Sequence, residues 1–145
     1  MAFTGNWTCN AFKQGVVDGT FNFGPGTTQT FYMALYTNAA TLNQYTPAYT
    51  SNGEASGTGY TAGGQLLTIN QVPTIDTSNN IIYWSFANAS WSGSISARGA
   101  LIYLNNGTTN PPVCVLDFGS TKQSIVSFTV QFPIASSTSA ILRLG

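Results

Sequence analysis

The sequence predicts an all-β fold. It reads as a single β-sandwich, jelly-roll-like or Ig-like, over residues 1–145, with one short N-terminal helix. Three observations carry this. Apolar residues alternate with period two through several short runs. Gly, Asn, Ser and Pro clusters separate those runs. Polarity comes from 20 Thr, 14 Ser and 13 Asn rather than from ions. The branched Cβ of Thr suits a pleated surface.

The elements follow in order. Residues 1–20 read as an N-terminal arm. Within it, Thr8 to Asp18 is the best helix: Thr8 can cap, and Ala11, Phe12 and Val16 fall near one face. Gly15 and Gly19 keep it short. Phe21-Asn22-Phe23 leads into the turn Gly24-Pro25-Gly26. Phe31 to Tyr36 is a strand, with Phe31, Met33 and Leu35 on one face. Thr37 to Gln65 is a long polar excursion with room for one short strand. Leu66 to Val72 is a strand, stopped by Pro73.

Ile81 to Phe86 alternates again, with Ile82, Trp84 and Phe86 inward. Ser94 to Leu104 and Val113 to Phe118 are apolar on both faces and so central. The loop Asn105 to Pro112 joins them. Ser124 to Phe132 shows the cleanest alternation, with Val126, Phe128, Val130 and Phe132 inward, and Pro133 ends it. Ala140 to Leu144 closes the chain, with Ala140, Leu142 and Leu144 on one face. That makes seven or eight short strands in one domain. Phe31, Leu35, Trp84, Ile102, Val115, Phe128 and Val130 form the expected core.

Charge narrows the function. Four basic and four acidic residues make up 6% of the chain, and there is no histidine; an average domain has about 25% charged residues. A basic nucleic-acid footprint is missing, as is a polybasic membrane anchor. No apolar stretch approaches the roughly 20 residues of a membrane span. The first residues lack the charged and apolar regions of a signal peptide. The expectation is synthesis in a cytoplasm, with no nucleic-acid or membrane partner. Near-zero net charge leaves little repulsion between copies, so self-association is tolerated.

Motifs for chemistry are weak. GTGYTA at Gly57 to Ala62 matches a dinucleotide pattern, but a strand rather than a helix follows it, so it reads as a turned loop. DFG at Asp117 to Gly119 reads as a strand end. Asp18, Glu54, Asp76 and Asp117 are unpaired in sequence, whereas a glycosidase needs two facing carboxylates. No cofactor, metal site or catalytic residue is expected, and the chain reads as no enzyme. The three Asn-x-Ser/Thr sequons fit chance in an Asn/Thr-rich chain. Cys9 and Cys114 read as reduced, small hydrophobes. Trp84 reads as core; Trp7 and Trp91 are the two that could be exposed platforms for a sugar, and core or interface packing is the favoured reading for them. Arg98 needs a carboxylate partner, either Glu54 or Asp117.

Three stretches act together as a signature: FYMALYTNAATLNQYTPAYTSNGEASGTGYTAGG, WSGSISARGALIY, and VLDFGSTKQSIVSFTVQFP with the ending AILRL. The chain resembles a family of small β-rich proteins from the virion structural genes of tailed double-stranded DNA phages. The resemblance covers most of the chain. It implies a virion component, with no catalytic residues to carry over. A capsid decoration or cement protein on the major capsid protein lattice is the first reading. A tail- or fibre-associated module that binds a host glycan or receptor is the second. Partners would be the major capsid protein or other virion proteins, and further copies of itself, with a trimer as one candidate symmetry.

With few ions to expose, intermolecular contacts must be apolar and neutral. Aromatic residues left after the core is assigned are the natural anchors. These are Phe3, Trp7 and Phe12 near the N-terminus and Tyr45, Tyr49 and Tyr60 in the long excursion.

Overall fold

A computed structural model describes residues 3–145. The chain is mostly β and sandwich-like, with one short helix. The strands are β1 (Trp7–Thr8), β2 (Phe31–Tyr36), β3 (Gln65–Leu67), β4 (Ile69–Asp76), β5 (Ile81–Phe86), β6 (Ala89–Ser92), β7 (Ser96–Leu104), β8 (Pro112–Gln123), β9 (Ser127–Val130) and β10 (Leu142–Leu144). The helix α1 spans Asn10–Asp18. Every strand pairing is antiparallel.

A five-stranded sheet has the order β1-β8-β7-β2-β3. Its alternation feeds two cores. Phe31, Met33, Leu35, Ala100, Ile102 and Leu104 point to one side. There they meet a three-stranded sheet, β10-β5-β4, and a two-stranded sheet, β6-β9. Ala34, Tyr36, Leu101, Tyr103 and Val115 point to the other side, where Phe3, Cys9, Ala40 and Leu42 cover them. The strands expected to be central are therefore buried on both faces. All seven residues of the expected core are buried.

An aromatic seam fills the inner core. Phe23 stacks on Phe31 with ring centroids 4.4 Å apart, and Trp84 lies 5.3 Å from Phe23. Phe12 of α1 sits 5.2 Å from Phe21 and 6.2 Å from Trp84. Such pairs add about 0.5–1.5 kcal/mol each beyond their buried area.

Several expectations shift. The helix caps at Cys9 rather than Thr8, because Thr8 belongs to β1 and pairs with Cys114. α1 runs through Gly15 and stops at Gly19, whose φ of 83° is left-handed. Its buried face is Phe12 and Gly15, and Val16 is 38% exposed. Residues 3–9 are no loose arm: Phe3 is fully buried and β1 completes the sheet. The expected strand Leu66 to Val72 divides at Thr68 into β3 of the five-stranded sheet and β4 of the three-stranded one. β4 continues through Pro73, because it is an edge strand with register shifts around that residue, and edges and bulges accept a missing N–H. DFG lies inside β8, not at its end.

The largest correction concerns Ser124 to Phe132. Only Ser127–Val130 forms β9, and Ile125 and Val126 are 85% and 79% exposed. A bend explains this. β7 and β8 pair from Tyr103↔Pro112 to Ser96↔Gln123, and β6 and β9 continue the pairing from Ser92↔Ser127 to Ala89↔Val130. Between the two ladders, Ser124 Oγ donates to Gly93 O at 2.8 Å, and Gly93 N donates to Val126 O at 2.7 Å. One long hairpin thus bends from one sheet into the other, a known way to turn a sandwich corner. The bend breaks the period and throws Ile125 and Val126 outward.

The GTGYT loop packs against this corner. A Cβ at Gly59 would collide with the Ser92 carbonyl, and one at Gly93 with the Thr58 carbonyl. Both glycines have positive φ, 88° and 150°. The motif thus permits two chains to cross at backbone contact.

Two predictions follow from this packing. Phe128→Ala should cost about 3–5 kcal/mol in urea melts, whereas Val126→Ala should stay within about 0.5 kcal/mol. Equal losses would contradict the bend. Gly59→Ala should lower the melting midpoint far more than Gly107→Ala. Gly107 also has a positive φ, 74°, but no atom lies within 4 Å of its Cβ position.

Candidate interaction surfaces

The six aromatic residues expected as anchors divide sharply. Phe3 is fully buried in the outer core and Phe12 is 4% exposed in the inner one, so both serve the fold. Trp7 is half-buried and donates its indole N–H to Thr4 Oγ1 at 3.2 Å. Tyr49 and Tyr60 are half-buried and held internally. Tyr45, 71% exposed, alone stands clear of the fold. Trp91 is buried, so it offers no platform for a sugar.

What holds the tyrosines is Glu54. Its Oε2 accepts from Tyr49 Oη at 2.7 Å, and its Oε1 accepts from Tyr60 Oη at 2.6 Å and Gly63 N at 2.7 Å. Tyr60 Oη also accepts from Leu35 N at 2.9 Å. Tyr103 donates to Gly63 O at 2.6 Å and stacks on Tyr49 at 4.8 Å. Tyr36 donates to Thr50 O at 2.6 Å. One carboxylate thus fastens the long excursion at the edge of β2, tying Tyr49 on the outer side to Tyr60, which packs against the inner core. Sequence reasoning weighed Glu54 as an unpaired carboxylate and as a possible partner of Arg98, not as an anchor for tyrosines. The signal for its real role was a lone acid in a neutral segment flanked by Tyr49 and Tyr60.

Arg98 pairs with the other candidate, Asp117, at 2.9 Å. This ion pair, with the Gly119 N–H, holds the Asp117 carboxyl below the usual carboxylate range. Cys9 and Cys114 are both free and buried. They lie in different cores, on opposite faces of the sheet. Burial pushes the Cys9 thiol up to about 12 and the Cys114 thiol higher still, so neither is a ready nucleophile. Among the described residues no group of three or more His, Cys, Asp or Glu could hold a metal, and no helix is long and apolar enough to cross a membrane.

Three surface features bear on partners. A groove of about 470 Å³ lies between β8 and β9, with Phe118, Phe128 and Val130 beside Lys122, Gln123, Ser127, Thr129 and Gln131. β8 bulges there, the five steps from Asp117 to Lys122 facing two steps of β7; bulges often re-aim side chains near sites. The second feature is the exposed pair Ile125-Val126 at the corner. The third is a groove of about 250 Å³ where Val16, Phe21, Phe23, Pro73, Ile82, Trp84 and Leu144 meet. Sequence reasoning missed the last two because it placed Val126 and Leu144 on buried faces.

Burial, then the Glu54 carboxylate, hold the Tyr36, Tyr49 and Tyr60 hydroxyls above the usual phenol range and push Tyr103 up to about 12. A raised folded-state value means the protonated form supports the fold. This stability is fully present below the free-tyrosine value of about 10 and is lost as pH rises through the folded-state values. Urea midpoints should begin to fall above about pH 9, where the unfolded chain's thiols ionise while Cys9 and Cys114 stay protonated in the fold, and fall more steeply above about pH 10 as the tyrosines join them. Glu54→Ala should cost about 2–4 kcal/mol by stranding partly buried donors, and Glu54→Gln less, because an amide oxygen still accepts. A flat alkaline profile, or equal losses in the two variants, would contradict the role given to Glu54.

Comparison with known proteins found no matching family model, curated relative or solved structure.

Proposed function

We propose that this chain is a non-enzymatic structural protein of a tailed-phage virion, a capsid decoration protein that binds the major capsid protein lattice and stabilises the head. The resemblance in sequence motivates the virion setting. The observation that carries the assembly reading is the character of the surface. Val17, Tyr45, Ile75, Ile125, Val126 and Ile134 are all more than two-thirds exposed. The ions, meanwhile, are few, and Arg98, Asp117 and Glu54 are occupied within the fold. A surface of this kind offers partners apolar and neutral hydrogen-bonding contacts.

A specific observation favours a second reading, a tail- or fibre-associated module that binds a host glycan. The groove between β8 and β9 sets amide and hydroxyl side chains around apolar rings. Polar groups placed over an apolar floor are the usual make-up of a small-ligand site.

Copy number separates the two readings. A decoration protein should be present in hundreds of copies per virion by gel densitometry, and a fibre module in tens or fewer. Attachment should also survive washing in about 0.5 M NaCl, because salt screens charge pairs and leaves apolar contacts intact. Absence from purified virions, or release at that salt, would overturn the proposal.

A further inference from the structure

We infer that copies of this chain associate head to tail, the Ile125-Val126 corner of one copy seating in the groove beside Trp84 of the next. The inference rests on the assembly reading above and names the contact.

The groove arises because the three-stranded sheet runs past the core it covers. Ile75 pairs with Ile82, and Ile82 with Leu144, across the three strands. Directly opposite residues share a face. That face is the core side, because Trp84 and Leu142, the next pair along, are each 4% exposed. Yet Leu144 is 47% exposed and Ile75 67%. Ile82 is partly covered by the core, and the two ends of the row, Ile75 and Leu144, are core-type surface that the chain leaves largely uncovered. Val16 at the end of α1 and Phe21 form the opposite wall.

The corner is the natural occupant. Ile125 and Val126 are adjacent β-branched residues, 85% and 79% exposed. They project from a bend braced by Gly93 and Ser124, so little conformational freedom is lost on docking. No Lys, Arg, Asp or Glu lines the groove or lies in Ser124–Val130. Closing the contact desolvates no ion, and neither surface repels the other. Corner and groove share no residue, so each copy in a head-to-tail pair keeps a free corner or a free groove, and repetition gives a ring or a chain of copies. A handful of side chains per copy falls short of the ~800 Å² per partner of a stable interface. The pairwise contact is weak, and it gains strength where a ring closes or a lattice concentrates the copies.

The test uses sedimentation velocity on the purified full chain up to about 1 mM. The wild type should show a mass that rises with concentration and persists at high salt. A corner variant, Ile125→Ser with Val126→Ser, should stay monomeric, and so should a groove variant, Val16→Ser with Leu144→Ser, both lining residues. Mixed in equal amounts, the two should form a dimer that grows no further, because each keeps one competent half. Urea midpoints near wild type check folding. If the groove variant melts early, Leu144→Lys replaces it. A monomeric wild type, oligomers that survive in either variant, or a mixture that stays monomeric would overturn the inference. The virion experiment judges the assembly reading separately: virions carrying both variants at full copy number would sink this contact and leave that reading intact.

Discussion

The central sheet is apolar on both faces, and the rest of the structure answers to that constraint. A sheet with one wet face alternates cleanly, whereas β7 runs buried from Gly99 to Leu104. Two covers are then required. One is conventional, built from the smaller sheets. The other has almost no regular structure: residues 3–9 and the segment after β2, pinned by an isolated bridge between Tyr36 and Glu54. An irregular cover leaves its own backbone groups to satisfy. Glu54, Tyr49, Tyr60, Tyr103 and Tyr36 do much of that work. In an ion-poor chain, this one carboxylate replaces a strand ladder as the fastener.

Much of the fold was legible because period two is a local signal. β2 and β5 lie where alternation placed them, to the residue. The double-sided apolar runs marked the centre of the sheet. What local pattern cannot convey is where a strand changes sheets. Ser124 to Phe132 alternates smoothly in sequence, but the corner at Gly93 and Ser124 resets its phase, and Val126 turns outward. β6 was missed for the same reason: Ala89–Ser92 is a four-residue strand that runs into the bend at Gly93. Exposure at Leu144 was equally invisible, because the pattern tells which face a residue shares and not where the opposing layer stops.

The aromatic anchors illustrate the same limit. Aromatics left over from the regular strands were assigned to partners. The fold needed most of them itself, since an irregular cover must supply bulk through large single side chains. Phe3 and Phe12 fill cores, and Tyr49 and Tyr60 serve as hydrogen-bonded struts. Residue type identified stickiness correctly, but attribution between inside and outside depends on tertiary layering.

The surface follows from how the polar residues are spent. Many Asn, Ser and Thr side chains satisfy their own loops rather than reaching for partners. Asn106 Oδ1 accepts from the N–H groups of Thr108, Thr109 and Asn110, and Asn110 Oδ1 accepts in return from Asn106 and Gly107. Asp76 does likewise for Ser78 and Asn79 in the turn between β4 and β5. Loops closed in this way are rigid without a charge network. Their rigidity lets the chain display uncovered apolar residues at fixed positions. A soluble monomer with a mobile, highly charged surface would shed neighbours through repulsion and entropy. With neither, the proposed contact between copies would carry little entropic or electrostatic cost, and its specificity would fall to shape: a corner that projects and a sheet that overhangs.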